Sequence, residues 1–276
     1  MHRVLPGLVA LCLAAFVLAV PTTVEAKQPS RPNPKPTPTV QPTPPVPPPT
    51  PSPSSSPAPT PTASPGYLDG IDVSYHQGPI DWAQVAASGK RYVFVRATAG
   101  TLTADSAYWT NRAGAGVAGL TVGSYHFANP DTAPNDASNE ASWFLRNSTI
   151  VSGDLLPVLD LEVSNGLDPA SLTAWAQTWL AQVSATTGVR PIIYTNPNFW
   201  SSSMANTEWF ARNGYSVLWI AHWTTTTAPT VPAGNWGGSG WTFWQDSGTG
   251  VVPGISGQVD LDRYGGSSLA PALLVP

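Results

Sequence analysis

The chain has 276 residues, a net charge of −4 and 31 prolines; 17 of these fall between Pro29 and Pro65, whereas all twelve tryptophans and eight tyrosines lie beyond residue 66. Residues 66–276 carry 15 Asp/Glu against eight Lys/Arg, a net of −7, with Lys90 the only lysine. That balance argues against nucleic acid as a partner, which needs a basic stripe to displace counterions from phosphates, and against adsorption to anionic lipid.

In chain order, Met1-His2-Arg3 opens a weakly positive start, an apolar run follows from Val4 to Val20, and Pro21 breaks it. Val24-Glu25-Ala26 supplies the small residues a signal peptidase reads, so residues 1–26 are expected to be a secretory signal cut after Ala26. The alternative is an uncleaved membrane anchor, for which the run is short and Pro6 and Gly7 are unfavourable. Cys12 is the only cysteine, and Leu11 before it argues against lipidation. The exported protein is therefore expected to hold no disulfide, and its stability must come from burial in one core.

Residues 27–66 form a Pro/Thr/Ser tract with almost no apolar side chain, expected to stay unfolded. Proline density favours an extended spacer of about 3.1 Å per residue, or roughly 115 Å from Pro29 to Pro65. With the signal removed the tract is a free tail; with the run retained it is a stalk. Residues 67–276 have room for one large single-core domain but are tight for two.

From there the hydrophobic period changes repeatedly. Strands are predicted at Gly70–Ser74, Tyr92–Thr98, Leu120–Phe127, Leu155–Glu162, Val189–Thr195, Ser216–His222, Gly240–Gln245 and Gln258–Leu261. Helices are predicted at Trp82–Ser88, Ser106–Gly114, Ala133–Asn147 and Pro169–Thr187, with a less regular fifth over 197–214. In the fourth, Leu172, Trp175, Ala176, Trp179, Leu180 and Val183 make one apolar stripe for packing on a sheet, and Pro169 suits the first turn. The last gaps are Gly/Pro/Thr-rich. Eight strands with helices after the first five predict an irregular, TIM-like parallel (β/α) barrel of the α/β class. A doubly wound nucleotide-binding sheet lacks its Gly-rich loop after the first strand.

In such a barrel the chemistry sits at the C-terminal ends of the strands. Leu155-Leu156-Pro157-Val158-Leu159-Asp160-Leu161-Glu162 ends in two carboxylates spaced i, i+2, which alternation puts on one face with Cα atoms about 6.6 Å apart. Crowding two acids raises at least one pKa, the arrangement by which a glycosidase keeps one carboxyl protonated beside an ionised neighbour. Asp72 in the first strand and Asp260 in the last join them if the barrel closes, and Arg96 is a candidate counter-charge. His76, His126 and His222 lie near strand ends, but metal-ligand spacings are absent, so groove-lining roles are expected and no metal or other cofactor. No Gly-x-Ser-x-Gly elbow occurs in a strand-turn-helix context. Tyr75, Tyr125, Phe127, Tyr194, Trp219, Trp223 and Trp244 sit near the same ends. Each alone reads as packing; beside four acids they predict a carbohydrate groove.

Six ordered motifs then carry a resemblance: Gly70-Ile71-Asp72-Val73-Ser74, Gly123-Ser124-Tyr125-His126-Phe127, Pro157 to Glu162, Leu218-Trp219-Ile220-Ala221, Phe243-Trp244-Gln245 and Val259-Asp260-Leu261-Asp262. From about Leu68 to Tyr264 the chain resembles glycoside hydrolase family 25, the N-acetylmuramidase lysozymes. The resemblance implies an irregular five-helix, eight-strand barrel and hydrolysis of the β-1,4 bond between N-acetylmuramic acid and N-acetylglucosamine in peptidoglycan. It implies Glu162 as general acid, Asp160 as its partner (activating water or steering the substrate's N-acetyl group), and Asp72 and Asp260 as supporting acids. Tyr125, Phe127, Tyr194, Trp219, Trp223, Gln245 and Arg96 are then expected to bind substrate, in a secreted, wall-associated monomer. The stereochemical course stays open, because Cα spacing does not fix the distance between carboxyl oxygens. Where the family often reads Ala-Thr-Glu-Gly, this chain has Ala97-Thr98-Ala99-Gly100, and Arg96 replaces the usual lysine. Two alternatives remain: a chitinase-like glycosidase, whose further Asp would fall at Val158, and a non-catalytic wall-binding barrel.

Overall fold

The structure, a computed structural model, describes residues 66–275; the expected signal and almost all of the proline-rich tract lie outside them. Nine strands are present among the described residues: β1 (Leu68–Val73), β2 (Tyr92–Ala99), β3 (Thr103–Ala104), β4 (Thr121–Phe127), β5 (Val158–Asp160), β6 (Ile192–Thr195), β7 (Leu218–Ala221), β8 (Phe243–Gly250) and β9 (Val259–Tyr264). Eight close into a barrel in the order β1-β2-β4-β5-β6-β7-β8-β9, and β3, unforeseen in the sequence, pairs on the end of β2. Helices α1 (Trp82–Ala87), α2 (Tyr108–Val117), α3 (Asp136–Asn147) and α4 (Pro169–Thr187) cover it.

The irregular barrel expected from the sequence is present, and the departure from parallel order falls at the last strand. Pairings from β1 round to β8 are parallel, but β9 runs antiparallel to both β8 and β1. Only residues 251–258 join β8 to β9, too few for the crossover a parallel pair requires. The reversal matters for the site, because it brings the start of β9 to the mouth. Asp260 stands opposite Asp72 in the β1–β9 register.

The predicted strand Leu155–Glu162 shortens to Val158–Asp160, since Pro157 cannot donate to a ladder. Pairing nevertheless outlasts the strand: Leu161 N–H donates to the Tyr194 carbonyl at 3.0 Å, and Leu161 is buried. Glu162 is thereby delivered onto the rim. The predicted fifth helix breaks into α5 (Pro197–Ser203) and α6 (Trp209–Arg212), with Ala205 and Asn206 left-handed between them. A further short turn, α7 (Pro232–Gly237), contains four successive left-handed residues, Ala233–Trp236.

Alternation divides the core into two layers. Outward-facing Ile71, Val93, Val95, Leu159, Ile193 and Ile220 pack against the helices, where the α4 stripe is wholly buried. Asp168 caps α4 by accepting from Ala170 N and Ser171 N, Pro169 occupies its first turn, and Gly188 (φ 74°) ends it. Inward-facing side chains fill the barrel: Phe94 lies flat on Trp219 with centroids 4.3 Å apart, and Tyr92 and Phe94 meet Phe243 edge-on. This floor depends on a glycine. A Cβ on Gly70, directly opposite Tyr92, would lie 2.3 Å from its ring.

Candidate active site

Above the aromatic floor, at the C-terminal mouth, opens a cleft of about 300 Å³. The four expected acids Asp72, Asp160, Glu162 and Asp260 line it, as do Arg96, Tyr125, Phe127, Tyr194, Trp219, Trp223 and Gln245. They come from β1, β2, β4, β5, β6, β7, β8 and β9 and the segments just beyond them. A second lobe of about 420 Å³ adjoins it, lined by Asn196, Asn198 and His222 and sharing Glu162, Tyr194 and Trp223 with the first. Glu162 is the one carboxyl common to both lobes.

The acids are crowded, with Asp72 and Asp160 buried and Glu162 and Asp260 partly exposed. Burial drives the Asp160 carboxyl well above its ordinary range, Glu162 adds to the rise, and Arg96 opposes it. Asp160 is 6 % exposed, and its Oδ1 has no hydrogen-bond partner among the described residues. Burial likewise raises Glu162, helped by the charge of Asp260, and raises Asp260 itself. Asp72 is pushed well up by burial and then by Asp262, Asp260 and Asp160, against a lowering hydrogen bond from Gln245. Such groups titrate as a set and hold protons where free carboxylates would hold none.

Polar partners fix the set. Gln245 Nε2 donates to Asp72 Oδ2 at 2.7 Å, while its Oε1 accepts from Tyr194 at 3.1 Å and from the Trp223 indole at 3.2 Å. After β1, Ser74 accepts from His76 N, and Gln77 accepts from Ser74 N, closing a turn that places His76 on the cleft.

Three expectations change. Arg96 is not simply the counter-charge of the acid pair: its Nε is 2.9 Å from Asp105 Oδ2, and its guanidinium lies 5.1 Å from the Tyr75 ring centroid. Asp105 also accepts from Tyr75 N and Ala107 N, so this one buried carboxylate orders the rim beside β2. His126 does not line the groove. It faces outward between Thr98 and Glu140, with Nε2 2.7 Å from the Glu140 carboxylate and its ring stacked on Trp179. Trp244 also faces outward, in the layer beneath the helices. Alternation could have foretold both, since each neighbours an inward residue.

Two residues escaped the sequence reading. Asp262 is buried below Asp260, accepting from the Trp219 indole at 2.9 Å, and its pKa is raised well up by burial. Its i, i+2 parity with Asp260 was the available signal. Asp105 had no local signal, being ordered only by the approach of β2 and the turn after β1.

A closed barrel whose mouth gathers four carboxyls with aromatic and amide side chains, beside a lobe able to continue a chain of sugar rings, has the make-up of a barrel glycosidase. Comparison with known proteins agrees: residues 71–255 match the profile of glycosyl hydrolases family 25. Lysozyme M1 of Streptomyces globisporus is 36% identical over 213 residues, spanning 73% of this chain and 69% of that protein. An N,O-diacetylmuramidase of Arthroderma benhamiae is 33% identical over 212 residues, 74% of this chain and 81% of its own. The crystal structure of a bacterial lysozyme from Streptomyces coelicolor superposes with a TM-score of 0.68 at 34% identity, covering 74% of this chain and 94% of that one. The chain belongs to glycosyl hydrolases family 25 and is a glycoside hydrolase.

Proposed function

We propose that this enzyme is a secreted muramidase acting on peptidoglycan, which cleaves the β-1,4 bond between N-acetylmuramic acid and N-acetylglucosamine. Relatives named lysozyme and N,O-diacetylmuramidase support the substrate class. The observation that carries the reading is the place of Glu162, the carboxyl shared by both lobes. A glycan threading from one lobe to the other crosses Glu162 at the junction, where its scissile oxygen would lie.

Glu162 acts as the general acid. Burial raises its carboxyl, which favours the protonated form the leaving oxygen needs. Asp160 works beside it from deeper in the barrel, activating water or orienting the substrate's N-acetyl group onto the anomeric carbon. Asp72 and Asp260 supply the surrounding negative field that favours positive charge developing on the sugar. Trp223 offers an exposed ring face to the sugar and Phe127 a purely apolar wall, while the buried Tyr125, Tyr194 and Trp219 floor the cleft.

The test is release of reducing ends from purified cell walls, with the products weighed by mass spectrometry. Wild-type enzyme is expected to leave N-acetylmuramic acid at the new reducing ends, and Glu162→Gln to release almost none. N-acetylglucosamine at those ends, or equal turnover of chitin in a parallel assay, would replace this reading with the chitinase-like one. Undiminished release by Glu162→Gln would remove Glu162 from its role.

A further inference from the structure

Gln245 sits on β8 with both ends of its amide engaged. Which end faces which partner follows from chemistry. The indole N–H of Trp223 can only donate, so the atom it meets must be the amide oxygen. The amide nitrogen is then turned toward Asp72, where it donates to Oδ2. Tyr194 closes the arrangement by donating to the same oxygen.

Trp223 differs in kind from the other members. It is 64 % exposed and forms the wall shared by the two lobes. Its seat is built by a second feature of β8: a Cβ on Gly248 would lie 2.5 Å from Trp223 Cζ2. The absence of a side chain there lets the indole settle onto Gln245 while its other face stays open.

We propose that Gln245 is a positioning residue coupling the Trp223 wall to Asp72, the seated indole fixing the amide so that its N–H is held on the Asp72 carboxyl. The inference rests on the glycan-binding reading only in taking Trp223 as the wall that substrate meets. A sugar that presses Trp223 into its seat tightens the donor on Asp72. An indole lifted from the seat leaves the amide oxygen held by Tyr194 alone and loosens that donor.

Asp72 faces other titratable and charged groups on every side. Asp260 and Asp262 approach from β9 and Asp160 from β5, with Arg96 of β2 and His76 of the turn after β1 lining the same cleft. The phenols of Tyr92, Tyr125 and Tyr194 stand near enough for the Asp72 charge to raise them. None of these is altered by changing the exposed indole, so a Trp223 variant isolates the coupling.

The experiment compares wild type with Trp223→Phe, which keeps an apolar ring face but loses the N–H together with the second ring, and with Gln245→Met. In the full chain carrying carboxyl-labelled aspartate, the Asp72 titration is followed by carbon NMR. The midpoint is expected to move to higher pH in Trp223→Phe, because the hydrogen bond favouring the ionised form has weakened, and further in Gln245→Met. An Asp72 titration in Trp223→Phe that superposes on wild type overturns the coupling, whatever the wall-degrading activity. On peptidoglycan, Trp223→Phe is expected to keep KM within about threefold and lose about tenfold in kcat, the scale of one charge-assisted hydrogen bond. A change confined to KM overturns the inference and leaves Trp223 a stacking surface alone. A wild-type enzyme that leaves peptidoglycan intact refutes the proposed function instead, while the NMR titration still decides the coupling. Should Gln245→Met fail to fold, the surface variant carries the test.

Discussion

Replacing Asp160 by Asn sets catalysis against stability within one residue. Asp160 is buried, lacks a partner for Oδ1, and lies beside Glu162, while the nearest cation, Arg96, is already paired with Asp105. A buried acceptor left unpaired costs about 1–3 kcal/mol, and more when charged. Asparagine keeps the volume and removes the charge, so Asp160→Asn is expected to gain about 1–3 kcal/mol at neutral pH. In a domain of this size each kcal/mol moves the melting temperature by about 2–4 °C. The pH dependence has a definite sign. Because burial holds the folded carboxyl above its unfolded value, the native state binds more protons between the two. Wild-type stability therefore falls as pH rises from the ordinary carboxylate range through the raised value. Below that window both states are protonated and the gap between the two proteins closes. Calorimetry at neutral and at acid pH, with reducing-end assays on the same samples, reads both effects; activity is expected to drop at least about 100-fold. An Asp160→Asn protein less stable than wild type at neutral pH, or a stability gap unaffected by acid, would refute the reasoning.

Glu162→Gln is expected to lower kcat on purified cell walls by about 10²–10⁴-fold, the contribution of a general acid, with its melting temperature no lower than wild type. Gly70→Ala drives a Cβ into the Tyr92 ring, and overpacking of this kind costs about 1–3 kcal/mol or more; a chemical denaturation midpoint equal to wild type would show that the aromatic floor yields. Glu140→Ala strips the buried His126 Nε2 and the Asn129 N–H of their shared acceptor, and each buried group left unpaired costs about 1–3 kcal/mol. Thermal unfolding measures it, and a drop below 1 °C, far under the roughly 2–4 °C expected per kcal/mol, would mean that water takes over the role.

The local content of the site was legible in the sequence, because strand alternation is a short-range rule. An apolar run ending in Asp160-Leu161-Glu162 announces two acids on one face whatever the surrounding fold, and the α4 stripe with its proline start and glycine stop is equally local. The same rule, applied further, would have turned His126 and Trp244 away from the groove and placed Asp262 on the inward face beneath Asp260. Ordered motifs shared with a known family carried the reading from a pair of acids to a barrel glycosidase. No local rule, by contrast, could divide Asp160 from Glu162. One ends β5 at the bottom of the cleft and the other stands on the rim, because Leu161 between them stays anchored to β6.

What only the tertiary structure decided was partnership. Closure of the barrel, with a final strand reversed by its short connection, set Asp260 against Asp72 across a register no neighbouring residues encode. Arg96 went to Asp105, and Gln245 reached from β8 to Asp72 at the other end of the folded chain. The crowding that raises these carboxyls has the same origin. Burial and like charge depend on which strands meet, so the sequence determined by itself which acids share a strand face, and the fold decided which of them are crowded together at the mouth.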